Sequence, residues 1–301
     1  MKKQNTFFAL FLAILVLAGC GPKPTPVVPT PTAAASIQPL DSVRTLTVGG
    51  MERSYIIHVP AGLTSAQLVP LVFVFHGYSE NAEYMQTTTG FDKVADANGF
   101  IVVYPNGSGS STGLSWNATG CCGYAVENNV DDAAFVRQMI ADVGTIAHVD
   151  PKRIYSTGFS NGALLSYRLA CEMSDTLAAV APVAGVLLFS PCQPTQPVSL
   201  LAVNGLKDTA VPFDGGMNGI TGLTFPPVQQ SIDTWVQLDG CAASPQVEED
   251  KIATHTSYSG CQAGTAVELY ALAGTGHAWP SPYLFQASQT IWDFFAAHPK
   301  Q

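Results

Sequence analysis

The stretch Ile154-Tyr155-Ser156-Thr157-Gly158-Phe159-Ser160-Asn161-Gly162 sets a serine between two glycines, where a strand-like run gives way to a helix-like one. A G-x-S-x-G string alone is a weak signal; a strand before it and a helix after it make the serine a candidate nucleophile. The pattern predicts a strand over 154–157 and a helix over 161–173, with Ser160 on the turn between them. Glycine at 158 and 162 suits a turn so tight that a Cβ would collide with its neighbours. The turn also sets the hydroxyl at a helix N-terminus, where backbone N–H groups favour a developing oxyanion. A serine hydroxyl needs a base, and the base needs an orienting acid. Following such a turn, the expected chain order is serine, acid, histidine.

Of the six histidines, His277 lies downstream of Ser160 in a turn leaving a late strand, in "AGTGHAW". His58 falls inside a strand, His148 in a turn before Asp150-Pro151, and His298 at the end of the last helix. His255 is downstream too, but sits between Cys241 and Cys261 in a local excursion. His277 is therefore the candidate base. Asp208, in the loop "LKDTAVPF" directly after the strand "VSLLAVNG", is the candidate acid, with Asp214 as its nearest rival. Asp233 and Asp239 fall on or just after a helix. The oxyanion donors expected are the backbone N–H groups of Asn161 and of Tyr78 in "FHGYSE", with Gly77 as the alternative to Tyr78. His76 is expected to shape that loop.

These residues need a scaffold that gathers strand ends. "SYIIHVP", "LVPLVFVFHG", "FIVVYPNG", "RIYSTG", "LAAVAPVAG", "VSLLAVNG" and "AVELYALAG" read as strands, and several are apolar throughout, as strands buried on both faces are. Helical patterns alternate with them over 82–98, from Asp131 or Asp132 as a cap onward, after Ser160, within "FPPVQQSIDTWVQLDG" and in "ASQTIWDFFAAH". Such alternation predicts a mostly parallel sheet covered by helices on both faces. A Gly- and Ser-rich loop over about 106–129 is long enough to be functional. No internal repeat and no second boundary is visible after residue 41, so residues 41–301 are expected to form a single catalytic domain.

The 301 residues are 47% hydrophobic and 12% charged, with a formal net charge of −9. That composition favours a folded core over disorder. Without a cluster of Lys and Arg it excludes nucleic acid as a natural partner. At the start, Lys2 and Lys3 precede an unbroken apolar run from Phe7 to Leu17, the pattern of an export signal and too short for a membrane span. Leu17-Ala18-Gly19-Cys20 resembles the lipobox of bacterial lipoproteins, which makes residues 1–20 a signal peptide and Cys20 a lipid anchor, the only expected contact with a membrane. Residues 21–40 read as a Pro/Thr-rich extended spacer. Six further cysteines in an exported chain suggest disulfides, Cys241–Cys261 first and Cys171–Cys192 second, with Cys121 and Cys122 open. None has metal-site spacing.

Taken in order, "VFHGYSEN", "IVVYPNGSG", "SWNATGCCGYAVENNVDDAAFV", "VDPKRIYSTGFSNGALLSYRLAC", "DTAVPFDGG" and "GTGHAWP" resemble the exported poly(3-hydroxybutyrate) depolymerase and feruloyl esterase group, the carbohydrate-esterase-like branch that also includes acetylxylan esterases. The resemblance covers roughly residues 45–297 and implies an α/β-hydrolase fold. It implies a triad of Ser160, Asp208 and His277 and hydrolysis of carboxylic esters without a cofactor. Asn204-Gly205 stands where the family usually has His-Gly ahead of the acid, and no polymer-binding segment follows the catalytic pattern. Soluble esters are accordingly expected before crystalline polyester. Trp116, Phe159 and Trp279, together with Tyr78 and Tyr124, are expected on loops around the site, the first three as substrate-binding residues. Two other functions remain compatible with the residues: a peptidase on the same triad, and a non-catalytic binding protein on the same scaffold.

Overall fold

The computed structural model describes residues 21, 35–218 and 222–301. The signal segment 1–20 with its Cys20 and most of the spacer lie outside the described residues. The strands are β1 (Leu40–Val48), β2 (Met51–Val59), β3 (Val69–Phe75), β4 (Ile101–Pro105), β5 (Val149–Phe159), β6 (Ala179–Val183), β7 (Ser199–Gly205), β8 (Gly216–Met217), β9 (Thr224–Phe225), β10 (Gln246–Glu249), β11 (Ala253–Tyr258) and β12 (Val267–Leu272). The helices are α1 (Ala82–Thr89), α2 (Phe91–Asn98), α3 (Gly123–Glu127), α4 (Asp132–Val143), α5 (Asn161–Glu172), α6 (Val228–Leu238) and α7 (Ala287–Ala297).

Ten strands form one sheet in the order β1-β2-β4-β3-β5-β6-β7-β12-β11-β10, and β8 pairs with β9 apart from it. The six central strands, β4 to β12, run parallel, and β3, β4, β6 and β7 are buried along their whole length. Both edges are antiparallel, which the expectation of a mostly parallel sheet did not specify. The reason is connection length. Only Gly49 and Gly50, both at positive φ, separate β1 from β2, a hairpin too short for a crossover.

Apolar side chains fill two layers, one on each face of the sheet. One packs Phe135, Leu165, Ile232 and Trp235 from α4, α5 and α6; the other packs Met85, Phe91, Ile291 and Phe295 from α1, α2 and α7. The helix predicted over 82–98 is two helices. Gly90 at φ +63° ends α1 in a left-handed cap and starts α2. Asp131 is the α4 cap, accepting from the Ala134 N–H at 2.8 Å. Asp132 instead points inward, where Arg53 donates to it at 2.9 Å and the Asn117 N–H at 2.8 Å. Burial pushes the Asp132 carboxyl up, with Arg53 and that N–H opposing it. Disulfides join Cys241 to Cys261, Cys171 to Cys192, and the neighbours Cys121 and Cys122. Residues 35–37, expected in the spacer, already pair with 63–65: Ser65 N–H donates to Ala35 and Ile37 N–H to Leu63. Among the described residues no helix is long and apolar enough to cross a membrane.

Candidate active site

Parallel strands end on one edge of the sheet, so the loops after β3, β4, β5, β7 and β12 converge there. Ser160 joins β5 to α5 at φ +54°, ψ −116°, a conformation that non-glycine residues rarely hold and that marks a functional turn. The close packing explains both glycines. A Cβ on Gly158 would come within 2.6 Å of the Gly162 carbonyl, and one on Gly162 within 2.7 Å of the His76 oxygen. The turn is anchored by the Ser160 N–H donating to Val183 at 3.0 Å.

His277, after β12, lies 2.8 Å through Nε2 from the Ser160 hydroxyl and 2.7 Å through Nδ1 from an Asp208 carboxylate oxygen. The other Asp208 oxygen accepts the N–H groups of Ala210 and Val211, each at 2.8 Å, and its side chain is buried. With Nδ1–H donating to Asp208, Nε2 is left to accept from serine, the arrangement a general base requires. The loops carrying Asp208 and His277 are packed backbone to backbone: a Cβ on Gly205 would sit 2.8 Å from the Gly276 oxygen, and Lys207 N–H donates to Thr275 at 3.0 Å. Asp214, the rival acid, is exposed.

On the β3 side, the Gly77 N–H donates to the Glu80 carboxylate at 2.7 Å, and Glu80 N–H returns a bond to the Gly77 carbonyl at 3.2 Å. Gly77 is thus occupied, and the Tyr78 N–H has no acceptor among the described residues. Burial pushes the Glu80 carboxyl up, against the Gly77 N–H. Beneath this loop, His76 donates from Nδ1 to the Gly77 carbonyl at 2.6 Å and accepts the Gly107 N–H at Nε2 at 2.8 Å. Burial lowers its pKa to about 4, so it stays neutral. The Asn161 side chain accepts the Trp116 N–H at 2.7 Å and donates to the Trp116 and Cys121 carbonyls, both at 3.2 Å. It ties the serine turn to the 106–129 loop, and Asn161 is itself the first residue of α5.

A cavity of about 210 Å³ opens beside Ser160, walled by Tyr78, Cys121, Cys122, Leu164, Val211 and Phe225. The three aromatics expected to bind substrate do not line it. Trp116 is fully buried, edge-on to Phe75, with its indole N–H donated to the His76 carbonyl at 2.9 Å. Phe159 packs behind His277, with ring centroids 4.9 Å apart. Trp279 turns away toward Phe91 and lines a different cavity with Thr89 and Pro280. All three rings are buried, and Phe159, expected on a loop, is the last residue of β5. Glu80 and the Asn161 amide escaped sequence reading; the Glu three residues after Gly77 was the available hint.

A family model described as Esterase PHB depolymerase matches residues 53–204. The chain belongs to the Esterase PHB depolymerase family. It is 30% identical to Feruloyl esterase B of Piromyces equi over 75% of its own length, spanning 42% of that longer protein. It is 30% identical to the putative esterase NocK of Nocardia uniformis subsp. tsuyamanensis over 93% of its length, and covers 90% of that relative. Acetyl xylan esterase from Aspergillus awamori superposes with a TM-score of 0.61 at 17% identity, over 85% of this chain and 99% of that one. The fold is that of the α/β-hydrolases.

Proposed function

We propose that the protein is an exported serine esterase, cleaving carboxylic esters through Ser160, His277 and Asp208. The observation carrying this reading is His277 within hydrogen-bond distance of both Ser160 and Asp208, beside a cavity with apolar walls. Ser160 Oγ attacks the ester carbonyl while His277 Nε2 takes its proton; the carbonyl oxygen gains the negative charge. The N–H groups of Asn161 and Tyr78 receive that charge. His277 then hands the proton to the departing alcohol, leaving an acyl group on Ser160. Water, deprotonated by His277, attacks the acyl carbon and releases the acid. Asp208 keeps His277 in the tautomer that leaves Nε2 free to accept.

The acyl group enters the cavity beside Ser160, and the substrate classes are feruloyl, acetyl or hydroxyalkanoate esters, in line with the names of the relatives. The chain works outside the cytosol, held by a lipid on Cys20; the leader pattern and the disulfides favour this. Full-length chain and its Ser160→Ala variant, assayed on methyl ferulate, acetylated xylan and short poly(3-hydroxybutyrate), test the mechanism. Hydrolysis by the wild type alone is expected. A folded wild type that hydrolyses no ester would turn the scaffold into a peptidase or a binding protein. Radiolabelled palmitate should enter the wild type in bacterial cells but not Cys20→Ala.

A further inference from the structure

The loop between β4 and α4 carries one element that the mechanism does not use, the disulfide between the neighbours Cys121 and Cys122. Both cysteines wall the catalytic cavity, Cys121 buried and Cys122 half-buried. We propose that this disulfide positions both oxyanion donors, Asn161 and Tyr78, and that a dithiol opening it slows catalysis while the fold stays intact. The proposal rests on the esterase reading above.

A bond between adjacent residues does little for global stability, because it closes almost no loop in the unfolded chain. Cys171–Cys192 and Cys241–Cys261, 21 and 20 residues apart, have that effect, and neither lines the catalytic cavity. What the neighbouring pair constrains is local. Its small ring runs through the peptide linking the two residues, so the Cys121 carbonyl and the start of Gly123 cannot turn freely. Each meets a donor residue. The Cys121 carbonyl accepts from the Asn161 side chain at 3.2 Å, and that same side chain accepts the Trp116 N–H at 2.7 Å. Gly123 lies against the Tyr78 ring, where a Cβ would fall 2.7 Å from Cε2. Beside it, the Ser79 N–H donates to the Leu114 carbonyl at 2.9 Å and the Ala125 N–H to the Ser115 hydroxyl at 3.0 Å. One segment, residues 114–125, therefore touches both residues of the oxyanion site, and the disulfide is the covalent link within it.

The same cavity that admits substrate gives a small thiol reagent access to Cys122. One thiolate of a dithiol attacks the Cys122 sulfur and expels the Cys121 thiolate; its second thiolate then displaces Cys122. The reagent leaves as a cyclic disulfide, and the two protons it lost end on Cys121 and Cys122. With the ring open, the Cys121 carbonyl is free to turn from Asn161, and Gly123 to move from under Tyr78. Donors that must be fixed before charge develops then lose their aim.

The test measures kcat on p-nitrophenyl acetate and affinity for a boronic acid before and after dithiothreitol, with the opened bond located by alkylation and mass spectrometry. Reduction at Cys121 and Cys122 should lower kcat by about tenfold to a hundredfold and weaken the boronic acid in parallel, at unchanged circular dichroism. Reoxidation should restore both. Cys121→Ala with Cys122→Ala should match the reduced enzyme and no longer respond to the reagent. Cys171→Ala with Cys192→Ala should keep kcat within about twofold and unfold at lower urea. A bond that resists the reagent, full kcat with the bond open, a loss confined to KM, or a loss that tracks unfolding would each overturn the proposal. Hydrogen exchange over residues 76–80 and 159–163 should rise on reduction. If the wild type hydrolyses no ester, the esterase reading fails, and unchanged exchange there would still overturn the positioning role by itself.

Discussion

Among the described residues His76, His58 and His277 each use both ring nitrogens; His58 and His277 both meet carboxylates, and of those two only His277 is arranged as a base. His277 meets a buried carboxylate at Nδ1 and a hydroxyl at Nε2. His58, on β2, meets Asp41 at Nδ1, 2.6 Å, and Asp96 at Nε2, 2.9 Å. Burial alone would lower the His58 pKa, but the Asp41 bond, the nearby Asp92 and the Asp96 bond outweigh it and raise it. With an acceptor on each side, both bonds form when both nitrogens carry protons, and the ring then clamps β1, β2 and α2 together. Replacing one carboxylate by a hydroxyl able to give up its own proton frees a lone pair. Two hydrogen bonds make a histidine rigid; the acidity of the second partner decides whether it does chemistry.

The contrast breaks most sharply at the serine. Ser160→Ala or His277→Ala should lower kcat by about 10⁴–10⁶ with unchanged circular dichroism; a loss under about tenfold would place the chemistry elsewhere. Asp208→Asn keeps the shape but invites the wrong tautomer, and a loss of about 10⁴ in kcat is expected by analogy with serine proteases. Asp96→Asn, the matching change at His58, should leave kcat alone. Glu80→Ala frees the Gly77 N–H and loosens the loop that aims Tyr78. A fall in kcat of about tenfold to a hundredfold is expected, with boronic-acid inhibitors weakened in parallel and Glu80→Gln restoring most of both.

The smallest effect is on stability. Because the His58 pKa is raised in the fold, its contribution is fully present below the unfolded value near 6.5 and fades as pH rises through the folded one. Asp41 and Asp96 are more than half exposed, so solvent screening limits the clamp to about 1 kcal/mol. Urea unfolding of wild type and His58→Gln should differ at pH 5.5 and converge at high pH, with kcat equal throughout. A difference that grows with pH would reverse the assignment of charge.

The scaffold was legible because apolar runs and chain order are one-dimensional signals. Strands buried on both faces announce themselves, and a serine after one strand, an aspartate after a second and a histidine after a third leave few ways to fold. Direction is not one-dimensional. Trp116 and Trp279 lie on the expected loops and Phe159 ends β5 instead, but which way each ring turns depends on the space that Phe75, His277 and Phe91 leave open. The same holds for Asp131 and Asp132, adjacent acids of which one caps a helix and the other holds Arg53. Gly90 was visible as a residue, yet its role as a break between α1 and α2 follows from how both helices pack on the sheet. Glu80 and Asn161 act by bonding to backbone, which leaves no pattern of paired side chains to read.

The contact of Gly205 with the 275–276 backbone has a consequence for how this enzyme could be rebuilt. Because main chain rests on main chain there, the segments after β7 and β12 have no side-chain cushion to absorb a change in either. A loop taken from a relative to alter specificity would fit only if its counterpart travelled with it. The two behave as one cassette, so recombination breakpoints should fall before β7 and after the His277 turn, and never between them.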